Sequence, residues 1–325
     1  MKRNKGDEKM RERFQPQVKL LKQTEALGEF QRRGRTLRPS LVEVAPTAFC
    51  NANCGFCFYG QDKSVVGKSG AKIDKDTMSR AIECMGYMGV PAINWTGYGE
   101  PSIHPDFRYF TELAKMHGIK QGMFTNAYKT DSYNPEDFDW IRVTVTPKGL
   151  EGKVGDNIRE LAEQTAVGIG MNITDRTSRF HVRALCQQAK ELGVDYFQVR
   201  PALAVPGEEQ EIIVPPEELK LKETEDFKVF LSPHKFEEYL KERTYDRCFG
   251  FHFVPAITPS GMLNACMYRD DYILGDLNAE NLTDIWARTK DSFRVTKDCQ
   301  TCCKNHEIND LLSKLKEPVD DEEFI

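Results

Sequence analysis

Three cysteines crowd one short stretch of the chain, CNANCGFC: Cys50, then Cys54 after three residues, then Cys57 after two more. Thiols grouped in this way bind soft metals, and their number limits which. Three thiolates are one short of the four that close a tetrahedral zinc site. On a 4Fe–4S cluster they leave one iron without a protein ligand, open to a substrate or cofactor. A zinc knuckle that borrows a distant fourth ligand is the competing reading. A second group lies towards the other end. Cys248 is followed after twelve residues by Gly261 and, four residues on, by Cys266; Cys299 and Cys302 then form a Cys-x2-Cys pair with Cys303 adjacent. Cys248, Cys266, Cys299 and Cys302 make a closed four-thiolate site for either zinc or a 4Fe–4S cluster, and the residues alone do not choose. Cys303 could replace Cys302, but the two-residue gap is the commoner loop spacing.

The setting favours metal over disulfides. The first fourteen residues mix both charge signs with no apolar stretch behind them, unlike a secretory signal, so a reducing, cytoplasmic setting is expected. No apolar run approaches the ~20 residues that cross a bilayer, and the formal net charge of −5 gives no concentrated basic face for nucleic acid. Cys84 and Cys186 fall within predicted helices and are read as core packing. The histidines are scattered; His104 is at most a supporting residue.

Elements that could position the first group are legible between residues 41 and 200. Short β-branched and aromatic runs predict strands over Leu41–Thr47, Ala92–Thr96, Lys120–Thr125, Trp140–Thr146, Val167–Ile173 and Tyr196–Arg200. Helical spacing predicts Lys75–Met88, Asp106–His117, Asp156–Thr165 and Ser178–Leu192 between them. Six strands joined by helical crossovers make a parallel α/β sheet that curls into a partial barrel, with Cys50, Cys54 and Cys57 on the loop after its first strand. Residues 1–40 read as a charged, helical extension, 201–247 as a Pro/Glu-rich linker and helix, 248–316 as a small cysteine-bearing unit, and 317–325 as an acidic tail. Within that unit Phe253–Thr258 and Met262–Met267 flank Pro259-Ser260-Gly261 as a hairpin, and Leu282–Thr289 reads as a helix.

With Phe56 just before its third cysteine, CNANCGFC resembles the signature of the radical S-adenosylmethionine (radical SAM) superfamily. In that family the open iron binds the amino and carboxylate groups of SAM, and the reduced cluster cleaves SAM to methionine and a 5′-deoxyadenosyl radical that takes hydrogen from the substrate. A second feature agrees. After the second strand, Tyr98-Gly99-Glu100-Pro101 offers a turn that lets backbone approach a ligand and a carboxylate that can accept from an ammonium. It is similar to the family's GGEP-type motif, which holds the SAM amino group, with Tyr98 in place of the first glycine. The resemblance implies a (β/α)6 partial TIM barrel. It also implies that polar strand-end residues (Asn126 after Thr125, Thr144 with Thr146, and Arg200) contact SAM or substrate, although each could as well cap a turn.

The C-terminal spacing, with Gly275-Asp276-Leu277 and the Leu282–Trp286 helix, resembles the extension called SPASM. With only Cys303 beyond Cys302, it resembles the shortened form called Twitch, which houses one auxiliary 4Fe–4S cluster. This implies an oxidoreductase that dehydrogenates a small molecule such as a sugar or aminocyclitol, served by an external one-electron donor of the flavodoxin or ferredoxin type. Peptide maturation and redox-neutral epimerisation are the enzymatic alternatives, and a zinc-stabilised binding protein the non-enzymatic one. No residue declares itself a catalytic acid, base or hydrogen donor.

If the first group holds one cubane, Cys50→Ala, Cys54→Ala and Cys57→Ala together should remove about four irons per chain and abolish SAM cleavage, leaving the other iron in place. Iron analysis and the yield of 5′-deoxyadenosine check both halves.

Overall fold

The computed structural model describes residues 15–61, 70–146, 149–202, 216–231, 243–296, 299 and 303–317. The charged residues 1–14, the Pro/Glu-rich stretch 203–215, Cys302 and the tail beyond residue 317 lie outside them.

The six expected strands form with small trims: β1 Val42–Val44, β2 Ala92–Trp95, β3 Lys120–Thr125, β4 Trp140–Thr144, β5 Val167–Ile173 and β6 Tyr196–Pro201. Each pairs in parallel with the next, as helical crossovers dictate. The helix Lys75–Met88 begins where the Asp74 carboxylate accepts from the backbone of Asp76 and Thr77, and ends at Gly89 in the left-handed region. It buries Met78, Ala81, Ile82 and Met85; the next helix, Phe107–Met116, buries Phe107, Phe110 and Ala114. The helix after β4 spans Gly152–Ala162, a turn earlier than expected, because Leu150 and Val154 supply core contacts to a start rich in glycine.

Strand alternation sorts residues between two surfaces. On β4, Ile141 and Val143 are buried, while Arg142 and Thr144, of the opposite parity, are only half-buried. Residues of the second kind line the barrel's interior cavity: Phe124, Arg142, Thr144, Asn172, Gln198 and Arg200.

Four strands join this sheet from outside the expected six. β7, Lys228–Leu231, lies within the stretch read as linker and helix, yet pairs in parallel with β6 and carries buried Val229 and Phe230. On the other edge β9, Ala256–Ile257, pairs in parallel with β1 and antiparallel with β10, Met262–Asn264, the expected hairpin. β11, Ile273–Asp276, completes the described sheet beside β10. Apart from it, β8, Arg247–Cys248, pairs with β12, Phe293–Arg294. The N-terminal helices Pro16–Leu21 and Thr24–Arg33 pack on this C-terminal unit. Phe30, fully buried, sits within 6 Å, centroid to centroid, of the rings of Phe249 (5.6 Å), His252 (5.6 Å) and Phe253 (5.9 Å). Among the described residues no helix is long and apolar enough to cross a membrane.

Candidate functional site

The first cysteine loop is held by backbone contacts at both ends. Ala48 N donates to Ala71 O at 2.7 Å, Phe49 N to the Thr47 hydroxyl at 3.1 Å, and Cys57 N to Cys54 O at 3.0 Å. The turn after β2 abuts it directly. Glu100 N donates to Phe49 O at 2.8 Å, and a Cβ on Gly99 would lie 2.0 Å from the same oxygen, so only glycine allows the approach.

Glu100 is 3% exposed and its carboxylate is fully engaged by protein. One oxygen accepts from the Ser102 hydroxyl at 2.8 Å, Ser102 N at 3.2 Å and the Thr125 hydroxyl at 2.7 Å; the other accepts from Asn126 N at 2.7 Å. Burial nonetheless pushes its carboxyl above the usual range, against the lowering pull of those donors. Asn126, set by this contact, donates from its side chain to Asn51 at 2.6 Å and lies 3.9 Å from the Cys50 sulfur. His104 stands behind the turn: its Nδ1 accepts from Asp106 N at 3.1 Å, so Nε2 carries the proton given to Ile73 O at 3.0 Å. That is a structural role.

One cavity of about 570 Å³ gathers the residues singled out from sequence: Cys50, Cys54, Cys57, Phe56, Tyr98, Gly99, Glu100, Asn126, Thr144 and Arg200 all line it. Tyr98 contributes an edge only, since its hydroxyl donates to Asp270 and its ring stacks on Tyr59 at 4.6 Å. Arg200 donates through Nε to Asn172 at 2.7 Å; burial first, and neighbouring Arg142 second, pull its pKa down to about 10.

Cys303 and Lys304 line the same cavity. Both also line a smaller pocket shared by Cys248, Cys266 and Cys299. Every one of these four sulfurs faces a hydrogen-bond donor. Asn309 Nδ2 points at Cys248 (3.6 Å) and Cys303 (3.8 Å), and the Tyr245 hydroxyl at Cys303 (3.4 Å). Tyr268 N lies 3.4 Å from Cys266; the Tyr272 hydroxyl and Arg269 lie 3.6 and 3.7 Å from Cys299. Lys304 is anchored by an ion pair to buried Glu43 on β1, which ties the pocket to the barrel. Cys84 and Cys186 lie away from both groups, against the hydrophobic core.

The donor sets fit iron–sulfur clusters. Burial and mutual repulsion raise Cys54 to about 11, and burial followed by Cys303 raises Cys248 to about 12. Thiols pressed together in this way ionise readily only when a metal centre takes the place of their protons. Among the described residues no three ligand side chains close around a single metal ion, whereas a cubane spreads its thiolates over separate irons. The donors around the second group are the partners that cluster-bound sulfurs take.

Sequence reasoning passed over Arg142, Asn172 and Gln198, although strand parity with Thr144 and Arg200 points to them. Asn309, Tyr245 and Lys304 carried no such signal.

The profile of the radical SAM superfamily matches residues 44–198, and that of the SPASM iron–sulfur cluster-binding domain matches residues 248–305. No curated protein matches the chain. Among solved structures, SuiB of Streptococcus suis superposes with a TM-score of 0.59 at 14% identity, over 88% of this chain and 72% of that one. SuiB bound to its precursor peptide SuiA gives 0.58 at 15%, over 81% and 68%. Native anSMEcpe with bound AdoMet gives 0.52 at 16%, over 83% and 87%. At these identities the likeness is one of fold.

Because a methyl at Gly99 must displace the Phe49 carbonyl, Gly99→Ala should cost about 1–3 kcal/mol of stability and weaken SAM binding. Thermal unfolding and equilibrium dialysis with SAM measure the two effects.

Proposed function

We propose a reaction for a chain that belongs to the radical SAM superfamily and carries a SPASM-type iron–sulfur domain: dehydrogenation of a small polar molecule, a sugar or aminocyclitol being the class in view. The observation that carries the reading is the shared cavity, which Cys50, Cys54, Cys57 and Cys303 all line. When bound, the first cluster and SAM supply a hydrogen-abstracting 5′-deoxyadenosyl radical, and a single auxiliary 4Fe–4S cluster supplies an acceptor for the electron left on the substrate.

The chain's own residues do the positioning. Glu100 fixes Thr125 and Asn126, and Asn126 braces Asn51 on the cysteine loop. Phe56, Tyr98, Gly99, Asn126 and Thr144 bound the SAM side of the cavity in this reading. Arg200, oriented by Asn172, and Gln198 present donors from the barrel wall, where hydroxyl-rich substrate would lie. The helix Pro16–Leu21 lends Pro16, Lys19 and Leu20 to the cavity wall. Donors aimed at all four auxiliary sulfurs favour a more negative cluster, which raises its potential and suits an electron acceptor. The electron for that chemistry would come from an external one-electron donor.

Dehydrogenation predicts a product lighter by two hydrogens, one 5′-deoxyadenosine per product, and no solvent deuterium at the attacked carbon. Mass spectrometry in H2O and D2O reads all three; retention of mass with one deuterium gained would establish epimerisation instead. For the auxiliary site we infer Cys303 as the fourth ligand, from its place in the pocket with Cys248, Cys266 and Cys299; Cys302, which the spacing favours, lies outside the described residues. Cys303→Ser should then lose about four irons and Cys302→Ser few, as iron analysis of the two variants will show.

A further inference from the structure

Tyr98 stands where the resemblance places a glycine, and its backbone carries the mark: φ is +27°, in the left-handed region that a side chain disfavours. A bulky residue keeps such a conformation only where its surroundings over-determine it. Those surroundings come from both cysteine-bearing parts of the chain. The Tyr98 ring stacks on Tyr59, two residues past Cys57, with centroids 4.6 Å apart and planes 23° apart. Its hydroxyl donates to Asp270, four residues past Cys266. The Tyr59 hydroxyl in turn donates to Met267 O at 3.2 Å. Met267 closes the ring from below: a Cβ on Gly97 would lie 2.7 Å from its sulfur. Tyr98 and Met267 are both buried, in one small apolar cluster with Ala45, Ala48 and Ala256. On the other flank, Gly99 presses on Phe49 O beside Cys50.

The geometry points to Tyr98 as a positioning residue that couples the Gly99–Glu100 turn to the Cys266 loop, so that an intact auxiliary site and SAM binding strengthen one another. The inference rests on the reading that this turn faces SAM. Its physical basis is that the hydroxyl–carboxylate bond and the stacked ring have one favourable arrangement, shared by two loops that each carry cluster ligands. Coupling of this kind is reciprocal and ordinarily amounts to a factor of about 5 to 150 in affinity.

The test uses the full chain with both clusters reconstituted anaerobically. SAM affinity is measured by equilibrium dialysis, and independently by the change SAM makes in the electron paramagnetic resonance spectrum of the reduced first cluster. Tyr98→Phe keeps the ring and removes only the hydroxyl; Asp270→Asn weakens the acceptor. Each should retain its iron and weaken SAM binding roughly 5-fold or more, and the double variant should be no weaker than the worse single one. Tyr98→Phe added to Cys266→Ser, which removes the auxiliary site, should have no further effect. Unchanged SAM affinity in Tyr98→Phe with full iron overturns the coupling, as do losses that multiply in the double variant. Gly99→Ala separates the two ways of failing. If it weakens SAM binding while Tyr98→Phe does not, the coupling is wrong and the turn assignment stands. If neither weakens it, the turn is not the SAM site and both readings fall.

Discussion

A carboxylate is costly to bury, and the chain buries Glu100 where three segments meet. Its four donors come from Ser102, Thr125 and Asn126, so satisfying this one group fixes the turn after β2 against the end of β3. Hydrogen bonds to charged groups contribute about 1.5–3 kcal/mol each, and a lost partner leaves the full desolvation penalty. The backbone of the same residue donates to Phe49 O, next to Cys50. The cysteine loop, the glycine turn and the third strand therefore cannot shift independently. That constraint turns a set of flexible loops into a site with one geometry.

The second cysteine group is organised on a different principle. Where the first loop relies on backbone contacts, the second surrounds its sulfurs with side-chain donors: Asn309, Tyr245, Arg269 and Tyr272. Asn309 is fully buried, and its carbonyl oxygen also accepts from Phe249 N and Gly250 N, at 2.8 and 2.7 Å. One side chain thus sets the backbone after Cys248 and addresses two sulfurs. The Lys304–Glu43 pair joins this assembly to β1, and so to the strand that leads into the first cysteine loop.

Much of this was legible in the sequence because it rests on local, periodic signals. Cysteine spacing, the Gly-Glu-Pro turn and runs such as Val167–Ile173 are read residue by residue, and the strands formed within a few residues of expectation. What escaped is non-local. β7 has four residues behind a polar Thr224-Glu225-Asp226 stretch, and its strand character comes from β6 at its side. Asn309 and Lys304 gain their roles only when the helix His306–Lys314 and the loop before it fold back on Cys248 and β1.

The place of β9 has a consequence for synthesis on the ribosome. β1 is among the first strands to emerge, with β2 on one side and Ala256–Ile257 on the other. More than two hundred residues separate β1 from that second partner, which at about 5–20 residues per second leaves its backbone edge uncovered for on the order of ten seconds or more. An unpaired edge is a template for association with other nascent chains. The barrel thus depends on its last third to finish its own first strand, and a chain truncated before residue 256 would present that edge permanently.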